Sequence, residues 1–408
     1  MLDDLRHVNV DEMAGETIEA APPTGRRIVR WLAIILAALV LLFHIAGGWY
    51  FASVIRNDAL AVQPDDGPDY DITVLAATAD TITFDRLSDS DHLTSDGAFG
   101  VAWASGYGRV GDTVQISDDG VTRALAPGWP VPSAGTMVDL DVYAFGGDPT
   151  VALGLPFDDV AIPGPGGDLP SWFVPAEDDT WAIFVHGKGA SRREALRMLA
   201  PIYDLGFPAL VIGYRNDPGA SQDESAFYRY GRTEWADLEA AVSYARAAGA
   251  SDVVLVGYSM GGAIVAAFLE ESSQAPDVAA VIFDAPLLDL GAAVSSAAGE
   301  RSLPLLGEGL PFTLTATAKW IASIRFDLDW AALDYAARVA DWRTPVLLFH
   351  GSEDGTAPVE VSRDIAAARP DLVEYHETAA AGHVQSWNRD PAGYEMRVRD
   401  FLARVTDG

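Results

Sequence analysis

Residues Val253–Ser272 read VVLVGYSMGGAIVAAFLEES, and this stretch decides the fold. It begins with apolar residues typical of a buried strand, passes through a glycine-rich turn, and continues with the composition of a helix. The turn has the pattern G-x-S-x-G, with Ser259 between Gly257 and Gly261. A serine at such a tight strand-to-helix turn has a strained backbone, and the turn raises its hydroxyl above the sheet edge. We therefore predict Ser259 as a nucleophile, a turn made only of small residues being the alternative.

The same alternation of strand and helix extends over residues 158–408. Amphipathic helical segments separate most of the short apolar strands, which read LPSWFVP, WAIFVHG, PALVIGY, DVVLVGY, VAAVIFDAP, TPVLLFHG and LVEYHE. This alternation predicts a mostly parallel sheet covered by helices on both faces. Ligands bind beyond the carboxyl ends of the strands in such sheets, so the residues just after each strand are the candidate site residues.

A serine is a weak nucleophile unless a base takes its proton, so one of the seven histidines should lie beside Ser259. His383 follows the last strand, at the same end of the sheet, and we predict it as the base. The others fall in the N-terminal regions or in and at the ends of strands: His7, His44, His92, His186, His350 and His376. An imidazole base also needs a carboxylate, and we prefer Asp354 because a glycine follows it, with Glu353 and Asp284 as alternatives.

Backbone amides are the expected donors to a developing oxyanion. One should be the amide of Met260, the residue after the serine. The second should come from HGKG, where flanking glycines let the backbone approach a substrate closely. We expect the Lys188 amide, with Gly189 as the alternative. Tyr258 and Tyr214 are further candidates for substrate contact.

With these motifs the chain resembles the α/β-hydrolase superfamily. The resemblance lies in HGKG at 186–189, GYSMGG at 257–262, HGSEDGTAP at 350–358 and AGH at 381–383. Their order, Ser then Asp then His, is the order that this fold uses. Through GYSMGG and YRND at 214–217, the chain looks most like the serine aminopeptidase-like and BEM46-like branch of membrane-anchored hydrolases.

The resemblance implies a serine esterase that cleaves a small-molecule carboxylic ester or thioester through an acyl-enzyme, with neither cofactor nor metal. Two alternatives stay open. A serine aminopeptidase-like enzyme would cleave short peptides, and a hydrolase fold reused as a binding module would have no catalytic activity.

Two further regions flank this core. Residues 70–157 alternate in the manner of half-buried strands, which predicts a small all-β module. Residues 290–340 predict a short cap over the site. Its apolar side chains either line a pocket for an acyl chain or bury the cap on the core: Trp320, Ile321, Phe326 and Trp330.

Residues 28–55 predict a transmembrane helix. Every residue from Trp31 to Phe43 is apolar, and Trp31 and Trp49 would lie roughly 27 Å apart on a helix, close to the ~30 Å hydrocarbon thickness. Arginines precede this span and aspartates follow it. The positive-inside rule therefore predicts a cytoplasmic tail at 1–27 and, after a linker at 56–69, an extracytoplasmic catalytic domain. A cleaved signal peptide is the alternative.

Composition excludes several classes of function. The formal net charge of -32 should repel nucleic acid. The chain contains no cysteine, which excludes disulfides, thiolate metal sites and a cysteine nucleophile.

Overall fold

A computed structural model describes residues 24–62, 67–86, 92–303 and 307–406. Residues 1–23 of the expected tail lie outside the described residues. So do residues 63–66 of the expected linker and 304–306 of the expected cap.

A long apolar helix, α1, spans Thr24–Ile55 and continues into a π-helical turn at Arg56–Leu60. By length and composition it is able to cross a membrane. Within the expected linker at 56–69, the chain directly after α1 is hydrogen-bonded to the main domain. The amide of Tyr228 donates to the Leu60 carbonyl at 2.8 Å, and Ala61 pairs with Phe227 in a β-bridge.

Six short antiparallel strands close a small barrel after this turn, in the order β1-β2-β5-β4-β3-β6. The strands are β1 (Ile72–Ala77), β2 (Thr81–Asp85), β3 (Phe99–Trp103), β4 (Gly106–Ile116), β5 (Gly120–Leu125) and β6 (Met137–Asp141). Alternate apolar residues such as Val74, Phe84, Phe99 and Val110 fill its interior, which is the period of two expected for half-buried strands. The prediction of a small β module is confirmed.

The main sheet has eight strands in the order β16-β15-β12-β11-β9-β10-β8-β7. Neighbours from β16 to β10 are parallel, whereas β8 and β7 add an antiparallel edge. This confirms the predicted mostly parallel sheet. The strands are β7 (Asp158–Gly164), β8 (Gly167–Val174), β9 (Thr180–Val185), β10 (Ala209–Ile212), β11 (Asp252–Tyr258), β12 (Val278–Asp284), β15 (Val346–Gly351) and β16 (Val373–Thr378), with a two-stranded hairpin β13 (Ser302–Leu303) and β14 (Gly307–Glu308) outside it.

Helices cover both faces of the sheet. They are α2 (Pro149–Leu153), α3 (Leu196–Asp204), α4 (Trp235–Ala247), α5 (Met260–Glu271), α6 (Leu290–Glu300), α7 (Phe312–Phe326), α8 (Val359–Ala368), α9 (Ser386–Arg389) and α10 (Pro391–Thr406). Along β9, Ile183 and Val185 pack into the core shared with α4, α5 and α8. Ala182 and Phe184 pack into the core shared with α3 and α10. The central strands are therefore buried on both faces, which accounts for their nearly continuous apolar sequences.

The barrel is joined to the main domain beside the loop that carries His383. Asn388 is fully buried, and its amide nitrogen donates to the carbonyls of Ala98 at 2.7 Å and Val142 at 2.8 Å. Its amide oxygen accepts from Arg197 at 3.0 Å. The barrel therefore supports the segment just after His383, on the side of the sheet formed by α3 and α10.

Asn388→Ala should destabilise the full-length protein in detergent by about 2 kcal/mol, because the half-buried carbonyls of Ala98 and Val142 lose their donor. The measurement is the midpoint of thermal unfolding. Gln115→Ala, which removes an exposed amide from the barrel surface, is the matched control and should leave the midpoint unchanged. Equal midpoints for the two variants would contradict this account of the junction.

Candidate active site

Ser259 occupies a sharp turn between β11 and α5. Its backbone has φ 50° and ψ −117°, a conformation that costs free energy for any residue with a side chain. Backbone hydrogen bonds to neighbouring segments hold it there. The Ser259 amide donates to the Asp284 carbonyl at 3.1 Å, and the Leu287 amide donates to the Ser259 carbonyl at 2.9 Å.

The glycines around Ser259 are required by close backbone contacts. A Cβ on Gly257 would lie 2.8 Å from the Gly262 Cα, and a Cβ on Gly262 would lie 2.5 Å from the Pro286 Cβ. A Cβ on Gly261 would overlap the Val185 carbonyl oxygen. The sequence G-x-S-x-G-G is therefore a packing requirement of this turn.

The structure brings the three predicted site residues into one hydrogen-bonded chain. His383 Nε2 lies 2.8 Å from Ser259 Oγ, and its Nδ1 lies 2.8 Å from Asp354 Oδ2. An ionised carboxylate only accepts hydrogen bonds, so Nδ1 carries the proton and Nε2 is free to accept one from the serine hydroxyl. The arrangement can move a proton from Ser259 to His383.

The environment of Asp354 keeps it ionised. Burial opposes its charge, but hydrogen bonds from His350 and His383 outweigh burial and hold the pKa of this carboxyl below its ordinary value. His350 Nε2 lies 3.1 Å from Asp354 Oδ2. The amides of Thr356 and Ala357 both donate to Oδ1 at 2.8 Å. Each carboxylate oxygen of Asp354 thus has two hydrogen-bond donors from the protein.

Neither alternative carboxylate takes this place. Glu353 is exposed to solvent. Asp284 is buried below the turn, where its Oδ2 accepts from the Tyr394 hydroxyl at 3.1 Å. Burial raises the pKa of Asp284 to about 6.

The HGKG loop lies against the serine. A Cβ on Gly187 would be 3.1 Å from the Ser259 Cβ, so a side chain at position 187 would crowd the serine. The Gly187 amide donates to the buried Glu194 carboxylate at 2.7 Å. Because Glu194 holds this amide, the next residue, Lys188, faces the pocket.

The predicted amide donors differ in their position. Met260 is the first residue of α5, where backbone amides have no partner within the helix. Met260 and Lys188 both line the pocket that contains Ser259. The Gly189 amide interacts with the Tyr228 hydroxyl instead, so the Lys188 amide fits the second donor position better.

The site opens into a cavity of about 460 Å³ lined mostly by apolar side chains, a size typical of small-molecule sites. Its walls come from the end of α1, from α6 and from α7, with Ser259, His383 and Met260 at the base. Among the described residues, no group of three or more His, Asp or Glu side chains is arranged to hold a metal ion.

The structure places the three predicted substrate contacts, Tyr258, Tyr214 and Trp320, outside the lining of the cavity. Tyr258 and Tyr214 are buried and do not line the pocket. Tyr214 stacks on His186 with ring centroids 4.5 Å apart and donates to the His186 carbonyl at 3.0 Å. Trp320 lies on the outer face of α7 and is exposed.

Sequence reasoning missed three supporting features. His350 and Glu194 position Asp354 and the HGKG loop, respectively, and the end of α1 forms a wall of the pocket. The sequence contained a signal for His350, since it sits four residues before Asp354 at a strand end. It contained none that would place α1 at the site.

Gly261→Ala should prevent the turn from closing and cost several kcal/mol of folding free energy, since the new methyl overlaps the Val185 carbonyl. Folded yield and thermal unfolding of the purified protein measure this. Gly299→Ala is the control, because a Cβ there meets nothing within 4 Å and alanine favours a helix. A Gly261→Ala protein as stable as the control would contradict the described turn.

Comparison with known proteins rests on structure alone. The sequence matches neither a protein-family model nor a curated protein. A structure of the esterase Pf2001 from Pyrococcus furiosus is similar over 64% of this chain and 95% of its own, with 21% identity and a TM-score of 0.50.

Two other solved structures are similar over a comparable share of the chain. Est1E from Butyrivibrio proteoclasticus, with bound ferulic acid, shares 15% identity at a TM-score of 0.47, over 61% of this chain and 100% of its own. XC6422 from Xanthomonas campestris, an α/β serine hydrolase without a lid, shares 15% identity at a TM-score of 0.43, over 61% of this chain and 94% of its own. With the sheet order and turn described above, the likeness to Pf2001 identifies the fold: the chain has the α/β-hydrolase fold.

Proposed function

We propose that this protein is a serine hydrolase that cleaves a carboxylic ester or thioester. The observation that carries the proposal is the chain of hydrogen bonds from Ser259 through His383 to Asp354, with 2.8 Å at each step. Its position at the base of an apolar cavity supports a small-molecule substrate. Within the α/β-hydrolases, we place the chain with the serine aminopeptidase-like and BEM46-like branch on the motifs quoted above.

The first half of the reaction forms an acyl-enzyme. Ser259 Oγ attacks the carbonyl carbon while its proton passes to His383 Nε2, and the carbonyl oxygen becomes an oxyanion. The amides of Met260 and Lys188 stabilise that charge. When the C–O or C–S bond breaks, the imidazolium returns its proton to the leaving alkoxide or thiolate.

The second half repeats these steps with water. His383 removes a proton from water, whose oxygen attacks the acyl carbon. The bond to Ser259 Oγ breaks and the proton returns to the serine, which releases a carboxylic acid. Asp354 stays ionised throughout and stabilises the imidazolium, consistent with its lowered pKa.

The cavity favours esterase over aminopeptidase chemistry. An aminopeptidase needs a carboxylate to bind the substrate's free amino group. In the part of the chain that the structure describes, Asp58 is the only acidic residue lining the cavity, and its carboxylate pairs with Arg301 at 2.6 Å. A non-catalytic binding module would have no need of the hydrogen-bonded Ser259–His383 pair.

Ser259→Ala should abolish labelling of the full-length protein by a fluorophosphonate probe, because the attacking oxygen is gone. His383→Ala should lower kcat on a p-nitrophenyl ester by at least about 10³-fold, and Asp354→Asn by about 10⁴-fold. The matched control is His376→Ala, since His376 lies in β16 and bonds to Glu374 at 2.9 Å. Absence of labelling of the folded wild type would contradict the catalytic proposal. Faster turnover of aminoacyl-nitroanilides than of p-nitrophenyl esters would favour the peptidase.

We also propose that α1 is a single-pass membrane anchor, with the N-terminus in the cytoplasm and the barrel and hydrolase domain outside it. The basis is the apolar composition of α1 together with the arginines before it and the aspartates after it. Membrane lipid is then the first partner of the protein.

The absence of cysteine makes this topology easy to test with single introduced thiols. On intact cells, a membrane-impermeant maleimide should label Glu360→Cys, and it should label Thr17→Cys only after permeabilisation. The reverse pattern would overturn the orientation. A mature protein that lacks residue 17 would instead establish a cleaved signal peptide.

A further inference from the structure

The membrane helix is packed into the catalytic domain through a contact made by two glycines. A Cβ on Gly47 would lie 2.9 Å from Leu314 Cδ1, and a Cβ on Gly48 would lie 2.7 Å from Thr317 Cγ2. Small residues at such positions let two helix backbones approach closely, as they do between membrane helices. The helices α1 and α7 are therefore packed together as one unit.

Polar contacts at both ends of this helix pair fix its register. His44 Nε2 lies 2.9 Å from Thr313 Oγ1. Arg325 donates to the Trp49 carbonyl at 3.1 Å and to Ser53 Oγ at 2.9 Å. The helices α1 and α7 thus run in the same direction, and the first turn of α7 lies level with the end of the apolar run of α1.

The outer face of α7 carries a stripe of exposed apolar side chains. Phe312 is 84% exposed, Trp320 65% and Ile324 66%. At 3.6 residues per turn, their spacing of eight and four residues keeps them within an arc of about 120° around the helix. We call these three residues the α7 stripe. Because Thr313 lies level with His44 and Ile321 contacts Gly48, the stripe begins at the depth of the apolar run of α1. At its other end, the α7 stripe extends past the level of Trp49, which the sequence predicts to lie at the membrane interface.

The end of α1 also reaches the catalytic site. Phe51, Val54 and Ile55 line the same cavity as Ser259 and His383. Past these residues, the Asp58 carbonyl accepts from Lys188 Nζ at 2.9 Å, which ties the π-helical turn to the HGKG loop. The end of α1 therefore packs directly against the cavity that contains Ser259.

We propose that the substrate is a long-chain acyl ester taken from the lipid leaflet that faces the catalytic domain. The Phe312 end of the α7 stripe lies in that leaflet and its Ile324 end lies at the membrane interface, and the acyl chain packs along the wall formed by Phe51, Val54 and Ile55. This proposal rests on the proposed hydrolase function and names its substrate class. We expect lipid to contact the α7 stripe because the stripe begins at the same depth as the apolar run of α1. The side chains of that run are apolar on all sides of the helix. The products are a fatty acid and the alcohol of the lipid.

The depth of the stripe is tested without any assay of activity. Phe312→Cys and Trp320→Cys proteins carrying a polarity-sensitive fluorophore are reconstituted in phosphatidylcholine vesicles. We expect blue-shifted emission that brominated lipid quenches and aqueous iodide does not. Met396→Cys, on the exposed surface of α10, is the control and should show the opposite pattern. Iodide quenching at the stripe equal to that at Met396, or shielding from both quenchers by a second copy of the chain, would overturn the proposal.

The substrate class is tested with two esters that share a leaving group. p-Nitrophenyl palmitate is dissolved in phosphatidylcholine vesicles, and p-nitrophenyl acetate is dissolved in water. The triple variant F312Q/W320Q/I324Q should lower the ratio of palmitate to acetate turnover about tenfold, whereas Met396→Gln should leave this ratio unchanged. Val54→Trp, which narrows the cavity, should lower the same ratio at least about tenfold.

Fluorophosphonate labelling of each variant verifies that its site is folded. A labelled Val54→Trp protein with an unchanged ratio would overturn the role of α1 as an acyl wall. Lipid quenching at the stripe without hydrolysis of either ester by the wild type would instead refute the hydrolase proposal and the lipid substrate together, while leaving the depth of the stripe established.

Discussion

The strained backbone of Ser259 is the constraint on which the rest of the structure depends. A residue with φ 50° at the end of a buried strand is held only because its neighbours leave it no other conformation. Gly261 must pass beneath the Val185 carbonyl and Gly262 must pass beside Pro286. Strands β9, β11 and β12 are therefore fixed relative to α5 by contacts at a single turn. The HGKG loop follows β9, so the same contacts also set its distance from the serine.

The second requirement is a carboxylate that stays charged while shielded from water. Asp354 achieves this through two histidines and two backbone amides. His350 is fully buried, and its Nδ1 lies 2.8 Å from Ser362 Oγ, so its ring cannot rotate away. The carboxylate of Asp354 is thus fixed by the His350 ring and two backbone amides, and it can still accept the hydrogen bond from His383. The barrel adds a further constraint, since Asn388 fixes the segment that follows His383.

The core of the fold was predictable because local patterns determine it. Strands buried on both faces read as apolar runs, and G-x-S-x-G can adopt only one kind of turn between such a strand and a helix. The positions of His383 and Asp354 at one sheet edge follow from parallel topology. The sequence was not sufficient where the direction of a side chain, or packing between distant segments, decides which residues line the cavity. Tyr214 turns inward to stack on His186, and Trp320 turns outward from α7. The approach of residues near 47 to residues near 314 depends on a contact across more than half of the chain, for which the sequence contains no local signal.

The glycine contact between α1 and α7 has a consequence for how such a protein can change. If α1 is a membrane anchor, as we propose, the same helix both attaches the protein to the bilayer and, through Phe51, Val54 and Ile55 at its end, forms a wall of the cavity. Exchanging α1 for a helix of equal hydrophobicity but different sequence would therefore also change the cavity wall formed by Phe51, Val54 and Ile55. Removing it would expose Leu314 and Ile321 to water and open the cavity on one side. A change of sequence in α1 would thus act on the proposed membrane attachment and on the shape of the cavity at once.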